Sequence, residues 1–497
     1  MSGGAPGPGS RGRPGGGGQL LAPERLDRPF SDPLVQRIFP PLATGVHWGL
    51  ERTRDALSDI GDPQQAFPVV HVGGTNGKGS VAATVASVLE AHGLRAGLYT
   101  SPHLLHFRER FQVGGRPLGD ATLARAADGI RDTIVHRGLT FFEAATVLGM
   151  RVFADAGVEV AVVEVGLGGR LDATNVLTPV CSVITNVAMD HADFLGSTLP
   201  SIAREKAGII KPGVPVLTAE ADPGLLELFR EVARRVGAPF TSLDPVSDLH
   251  HVEVAPDRTS FRLETRSWGT LALTTPLVGR HQALNAALAV EALEHLPGDL
   301  RPDARAVEVG VRGVHWPGRD QVEVTPEGTW VLDVAHNTAG ILSLVDVLDR
   351  LRLPRPLVAL VGVLGDKDWR AMLPPLLRRC DRAVLTQPPS APVERRWKPW
   401  EALREVSAAE GAPVPVAIEE DFDLALARAR EEAGTGTVVV TGSVHTVGSA
   451  LSAMGREPFP MEGPPGCPGD PPGGGLVAPG TGPQGGSTGG GGPSGVG

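Results

Sequence analysis

The sequence predicts an α/β protein: a P-loop-containing, mostly parallel-sheet N-terminal domain with a small accessory antiparallel sheet, then a smaller Rossmann-like α/β domain. Three observations predict it. Apolar, β-branched runs alternate with helical patterns from about residue 67 to 243, a glycine-rich loop follows the first of these runs, and a second alternation begins after the break at His315-Trp316-Pro317-Gly318-Arg319. The chain accordingly divides into a Gly/Pro-rich tail over 1–22, a first domain over 23–314, a second over 315–456 and a Gly/Pro-rich tail over 457–497. Both tails are expected to be disordered, since neither carries enough apolar surface to offset the entropy of ordering.

Composition removes several classes of function. With 497 residues and 41% hydrophobic side chains the chain can build packed cores. Its 46 basic and 56 acidic side chains leave a net charge of −10, which does not suit the phosphate backbone of a nucleic acid. Cys181, Cys380 and Cys467 are odd in number and far apart, so neither a disulfide framework nor a cysteine metal site is expected, and a reducing cytoplasm fits best. No apolar run reaches the roughly 20 residues of a membrane span, and the N-terminus lacks the apolar core of a signal peptide.

Taken in order, Gly45–Ile60 predicts a helix ended by Gly61 and Pro63, and Phe67–Val72 predicts a strand. The loop that follows runs Gly73-Gly74-Thr75-Asn76-Gly77-Lys78-Gly79-Ser80 into a helix reaching His92. Its glycines allow a tight turn with inward amides, Lys78 supplies a point charge, and the helix presents its N-terminus to an anion, so it reads as a phosphate cradle. It departs from the strict P-loop pattern, with Val72 at the first glycine and Gly79 between Lys78 and Ser80. Arg95–Thr100 is a strand leading to Ser101-Pro102-His103, either an ordinary turn or ligand-facing residues at a strand's carboxyl end.

Asp120–Arg137 predicts a helix, and Thr140 with Glu143 forms a capping box for the next, which reaches about Ala156. Val158–Val165 is a central strand whose Glu164 requires a metal ion or an ion pair. A second glycine-rich loop, Gly166–Asn175, follows it; Cys181–Val187 is another strand, with Asp190 and His191 at its end. Pro200–Ile210 predicts a helix in which Lys206 fits either a solvated face or a buried role. Val252–Thr265 and Trp268–Thr275 predict the accessory hairpin, and Gly279–Leu296 an alanine-rich helix. In the second domain, strands are expected at Trp330–Val334, Leu357–Val363, Ala383–Leu385 and Val438–Thr441, with helices after Thr338, Asp368, Lys398, Asp421 and Val444. Asp333 and His336 end the first of these strands.

Taken together, these stretches resemble the folylpolyglutamate and dihydrofolate synthases of the ATP-dependent Mur ligase superfamily. His71–Ser80 is similar to HVxGTNGKGS, Thr100–Leu104 to TSPHL, and Glu164–Asn175 to EVGLGGRLDATN. Asp190-His191, Glu205–Ile209, His281-Gln282 with Asn285, Trp316–Arg319 and Asp333–Asn337 continue the series. The resemblance implies ligation of L-glutamate to dihydropteroate, to the glutamate tail of folates, or to both, with ATP as co-substrate. It implies ATP contacts from Gly74 through Ser80, Asn285, Arg319 and Asp333, and places Lys78, Lys206, His191 and His336 in the catalytic set. Ser101, Glu164 and His191 would hold Mg2+, and Lys206, carbamylated by carbon dioxide, a second Mg2+; a monovalent cation is also admitted. Phe142, Asp172 and Ala173 would meet the pteroate. The usual DGAHNP stands here as Asp333-Val334-Ala335-His336-Asn337-Thr338, with valine for glycine and threonine for proline. A monomer binding only small molecules is the family expectation. The alternatives are a peptidoglycan-precursor ligase sharing the cradle, and a non-catalytic nucleotide-binding protein.

Overall fold

The computed structural model describes residues 32–40, 42, 49–244, 249–410 and 414–459, with the backbone alone for 406–410. The tail over 1–22, most of the tail from 457, Cys467 and the start of the helix expected at Gly45 lie outside the described residues. That helix is seen as Glu51–Asp59.

The first sheet has eight strands: β1 Val69–Gly73, β2 Ala96–Tyr99, β3 Phe111–Val113, β4 Arg116–Pro117, β5 Val160–Glu164, β6 Cys181–Ile184, β7 Val216–Thr218 and β8 Phe240–Ser242. Their spatial order is β4-β3-β2-β5-β1-β6-β7-β8. Strands β2, β5, β1, β6, β7 and β8 are parallel, while β3 and β4 form an antiparallel edge. The central strands are buried on both faces, which is why they read as continuous apolar runs. Helices Lys78–Ala91 and Arg280–Glu294 cover one face, and Asp120–Arg137 and Phe141–Asp155 the other.

The accessory sheet has three strands, β9 Leu249–Ala255, β10 Arg258–Thr265 and β11 Gly269–Thr275, joined at the two turns the sequence offers, Pro256-Asp257 and Ser267-Trp268. A second large sheet follows: β12 Gln321–Thr325, β13 Gly328–Leu332, β14 Leu357–Val361, β15 Arg382–Leu385, β16 Val416–Ile418 and β17 Thr437–Thr441, ordered β12-β13-β17-β14-β15-β16. All its pairings are parallel except β12 with β13. Among the described residues, no helix is long and apolar enough to cross a membrane.

Edge elements escaped the sequence pattern. Strands β4 and β16 have only two and three residues and β12 mixes polar with apolar side chains, and all three are partly exposed, so none reads as a buried apolar run. Helix Ala304–Gly313 contains Gly310, which reads as a breaker; there a Cβ would press on the Ser87 and Val88 backbone, so glycine permits close helix packing.

The capping box is present: Thr140 Oγ1 accepts from the Glu143 amide at 3.4 Å, and Glu143 Oε2 accepts from the Thr140 amide at 2.8 Å. Thr140→Ala removes this hydroxyl from a buried helix start, and a loss of about 1 kcal/mol in unfolding free energy is expected in urea titrations.

Candidate active site

Parallel strands deliver their following loops to one edge, so residues distant in sequence converge there. In the first sheet β1 is flanked by β5 and β6, with Val72 level with Glu164 and Gly73 with Ile184. The loops after β1, β2, β5 and β6 therefore bring the phosphate cradle, Ser101, Gly166–Ala173 and Asp190-His191 to a common rim. Loops after β13, β14 and β17 bring Asp333–His336, Lys367 and Ser443–His445 to the same space. The result is one cavity of about 390 Å³, lined by residues of both large sheets. Every site residue expected from the sequence lines it: Gly74 through Ser80, Ser101, Phe142, Glu164, Asp172, Ala173, His191, Lys206, Asn285, Arg319, Asp333 and His336. His103 is not among them; it is buried beneath the rim, where its Nδ1 accepts from Arg110 Nε at 2.9 Å.

The cradle is built by backbone conformation. Gly77 caps helix Lys78–Ala91 at φ +80°, and a Cβ there would come 2.5 Å from Asn285 Oδ1, so glycine is required for both turn and packing. At Gly79 a Cβ would lie 2.6 Å from the Trp316 ring. Lys78 Nζ donates to the Thr75 carbonyl at 3.2 Å and lies 4.0 Å from Glu164 Oε1. Ser80 Oγ is buried without a protein partner at the start of that helix.

Glu164 accepts from the Ser101 amide at 3.1 Å. Burial raises its carboxyl above the ordinary range, opposed chiefly by Lys78. The buried Lys206 ammonium donates to the Gly74 carbonyl at 2.7 Å; burial, then Lys78, push it down to about 7. That resolves the two sequence readings of Lys206 in favour of a buried role. Asp172 caps the short turn Ala173–Val176, accepting from the amides of Thr174 (3.0 Å) and Leu167 (2.8 Å), while the Phe142 ring stands 6.3 Å from that of Tyr99.

Asp190 joins the two large sheets. Its Oδ1 is 2.5 Å from Lys367 Nζ; its Oδ2 accepts from Asn337 Nδ2 at 3.0 Å and lies 3.3 Å from His336 Nε2. Asn337 Nδ2 also donates to Asn76 Oδ1 at 2.9 Å, tying the cradle to the second sheet. Burial would raise the Asp190 carboxyl, but His336, His191 and Lys367 outweigh it and hold it well below the usual range. Beside it, His191 is held below the ordinary imidazole value by burial and by Lys367. Near Asp333, Asp320 accepts from His281 Nε2 at 3.1 Å; burial lowers His281, but Asp320 reverses the shift and raises it. Asp333 is pushed up to about 7 by burial and by Asp320.

The sequence reading missed Lys367 and the roles of Asp190 and Asn337. Lys367 lies in a Gly-Asp-Lys-Asp loop directly after β14, a strand-end position that could have marked it.

Comparison with known proteins agrees with this geometry. Residues 72–293 match the Mur ligase middle domain, and residues 318–444 match the Mur ligase, glutamate ligase domain. A folylpolyglutamate synthase of Lacticaseibacillus casei is 37% identical over 380 residues, covering 74% of this chain and 87% of that protein. The chain belongs to the folylpolyglutamate synthase/dihydrofolate synthase family. Two solved structures agree with that membership. E. coli FolC in complex with DHPP and ADP superposes with a TM-score of 0.73 at 29% identity, covering 86% of this chain and 98% of that one. A bifunctional folylpolyglutamate synthase/dihydrofolate synthase with Mn, AMPPNP and L-glutamate bound gives 0.70 at 32% identity, covering 82% and 95%.

Lys367 and Asp190 are both buried, so Asp190→Asn leaves an ammonium without its carboxylate. A loss of about 3 kcal/mol or more in unfolding free energy is expected. Because folding depresses the Asp190 pKa, its contribution is complete above the unfolded value of about 3.9 and disappears as pH falls through the lower folded value. Urea titrations of parent and variant between neutral and acid pH measure both effects.

Proposed function

We propose that this chain joins L-glutamate both to dihydropteroate and to the glutamate tail of tetrahydrofolate, through an acyl phosphate formed with ATP. As a member of this family it is an ATP-dependent ligase of folate metabolism that releases ADP and phosphate. The observation that carries the reading is the convergence of the cradle, the Phe142–Asp172 pocket and the second-sheet loops on one cavity.

The folate carboxylate attacks the γ-phosphorus of ATP, an acyl phosphate forms and ADP leaves; the α-amine of glutamate then displaces phosphate and gives up a proton. The chain's work is positioning and charge neutralisation. Lys78 and the cradle amides hold the phosphates, with the buried Ser80 hydroxyl as an added donor. Asn285 and Arg319 contact the nucleotide, Asp333 meets its ribose, and His336 stands near the phosphates from the second sheet. Phe142 offers an aromatic face to the pterin and Asp172, with Ala173, its polar edge. Closure of the second sheet's loops over the first excludes water from the acyl phosphate.

The donor set fits a divalent cation. Glu164 is a buried carboxylate whose nearest charge is Lys78 at 4.0 Å, and an oxygen-seeking cation balances it. Ser101, Glu164 and His191 would hold one Mg2+, and carbamylated Lys206 a second; the bound ions supply charge neutralisation at the transferred phosphoryl group. Lowering of Lys206 to about 7 supports the modification, because the neutral amine is the form that adds to carbon dioxide, losing a proton to become an anion. A monovalent cation, a monomeric state and a cytoplasmic setting complete the reading, the last supported by the free, buried Cys181 and Cys380. The same reading divides the chain at 314/315, ahead of β12.

Glutamate-dependent ADP release, with dihydropteroate and tetrahydrofolate offered separately, tests the function. Release with both is expected, with tetrahydrofolate alone means tail extension only, and with neither contradicts the reading. Lys78→Ala is expected to lower turnover by at least about 100-fold, as loss of a phosphate-stabilising charge does, and chelation of divalent ions to abolish it reversibly. Depleting bicarbonate should lower parent activity and leave any residual activity of Lys206→Arg unchanged; an equal response contradicts the carbamate.

A further inference from the structure

We infer that residues 456–459 form a strap that positions the Trp316–Arg319 segment against the phosphate loop, with Phe459 as its anchor. Composition alone groups Glu457–Phe459 with the C-terminal tail, yet with Arg456 they pack on three separate parts of the molecule. Gly455, at φ +65°, ends helix Val444–Ala453 and lets the Arg456 amide turn back to the Leu451 carbonyl at 2.9 Å. Beyond this turn, Arg456 pairs with Glu323 on β12 and Glu457 with His106 of the first sheet's loops at 3.0 Å. The Pro458 carbonyl accepts from His315 Nε2 at 2.7 Å. Phe459 is 6% exposed, with its ring 5.4 Å from that of His315 and 6.1 Å from that of Trp316, both edge-on.

Two routes lead from the strap to the nucleotide site. One is steric: the Trp316 ring lies where a Cβ on Gly79 would meet it at 2.6 Å, so Phe459 backs the ring that closes over the cradle. The other is a hydrogen-bond chain: Glu323 Oε1 accepts from Gln321 Nε2 at 2.6 Å, and Gln321 Oε1 accepts from the Gly318 amide at 2.9 Å. Gly318 in turn accepts from Arg319 Nη1 at 3.2 Å and from the Val334 amide at 3.0 Å. Arg319 and Phe459 also share a small cavity with His103 and Trp316. The strap touches none of the reacting groups, so Phe459 is a positioning residue whose effect falls on ATP affinity.

This inference rests on the cavity being the ATP site, and its test separates the two. ATP binding to the full-length parent, Phe459→Ala and Phe459→Leu is measured by calorimetry, with KM for ATP, kcat at saturating ATP and the circular dichroism spectrum for each. The edge-on aromatic pairs predict a Kd and KM for ATP about fivefold to tenfold higher in Phe459→Ala. Unchanged kcat and spectrum are expected, with partial recovery in Phe459→Leu. His106→Ala, at a half-exposed pair that leaves the core intact, should raise Kd by a smaller factor. If the parent binds no ATP, the nucleotide reading itself fails. If the parent binds and Phe459→Ala and His106→Ala match it within twofold, or if Phe459→Ala loses kcat with no change in Kd, the strap has no positioning role.

Discussion

One buried carboxylate holds the two halves of the site together. Asp190 ends a loop of the first sheet, yet its partners Lys367, His336 and Asn337 all belong to loops of the second. A lone carboxylate in that position would be too costly to bury. Here the cost is offset by cations and amides whose positions depend on both sheets being packed as they are. Closing the site and satisfying this charge are therefore one event. The Asn76–Asn337 bond extends the same linkage into the phosphate loop, so cradle geometry responds to the second sheet.

The remaining charges follow a similar logic. Lys78, Lys206 and Glu164 are drawn close together, where burial and Lys78 disfavour the Lys206 charge and Glu164 is only loosely balanced. Such an arrangement gains from a triphosphate and its cations, which complete the charge balance. The glycine turn at Gly77 and the helical Gly79 leave room for close approach, while Asn285 and Trp316 fill the space a side chain would take. Positioning of this kind suits a reaction whose difficulty lies in bringing anions together and keeping water away.

Much of this was legible in the sequence because parallel strands write their positions as apolar runs, and the residues just after them must lie at the ligand edge. Glu164, Asp190 and Asp333 announce themselves as polar interruptions at strand ends. The Thr140–Glu143 box follows from local chemistry alone. What stayed hidden depends on tertiary pairing. Lys206 sits in a helix whose charged neighbours Arg204 and Glu205 suggest a solvent face, and only the fold turns it inward. Lys367 lies in a polar loop that any surface turn would resemble. His103 reads as a rim residue but packs under the rim against Arg110, because the chain turns inward after Ser101. Phe459 stands at the edge of a Gly/Pro-rich stretch, where composition gives no sign that one ring finds a pocket beside Trp316.

The chemistry of the cleft turns on one step, phosphorylation of the bound carboxylate by ATP before glutamate attacks. Transfer of isotope from the substrate to the released phosphate tests it most directly. With both oxygens of the accepting carboxylate labelled with oxygen-18, the account predicts one labelled oxygen in each phosphate formed alongside the amide product, since the bridging oxygen leaves with phosphorus. Phosphate free of label, produced at the same rate as the amide, would contradict the acyl phosphate and the arrangement of the site built around it.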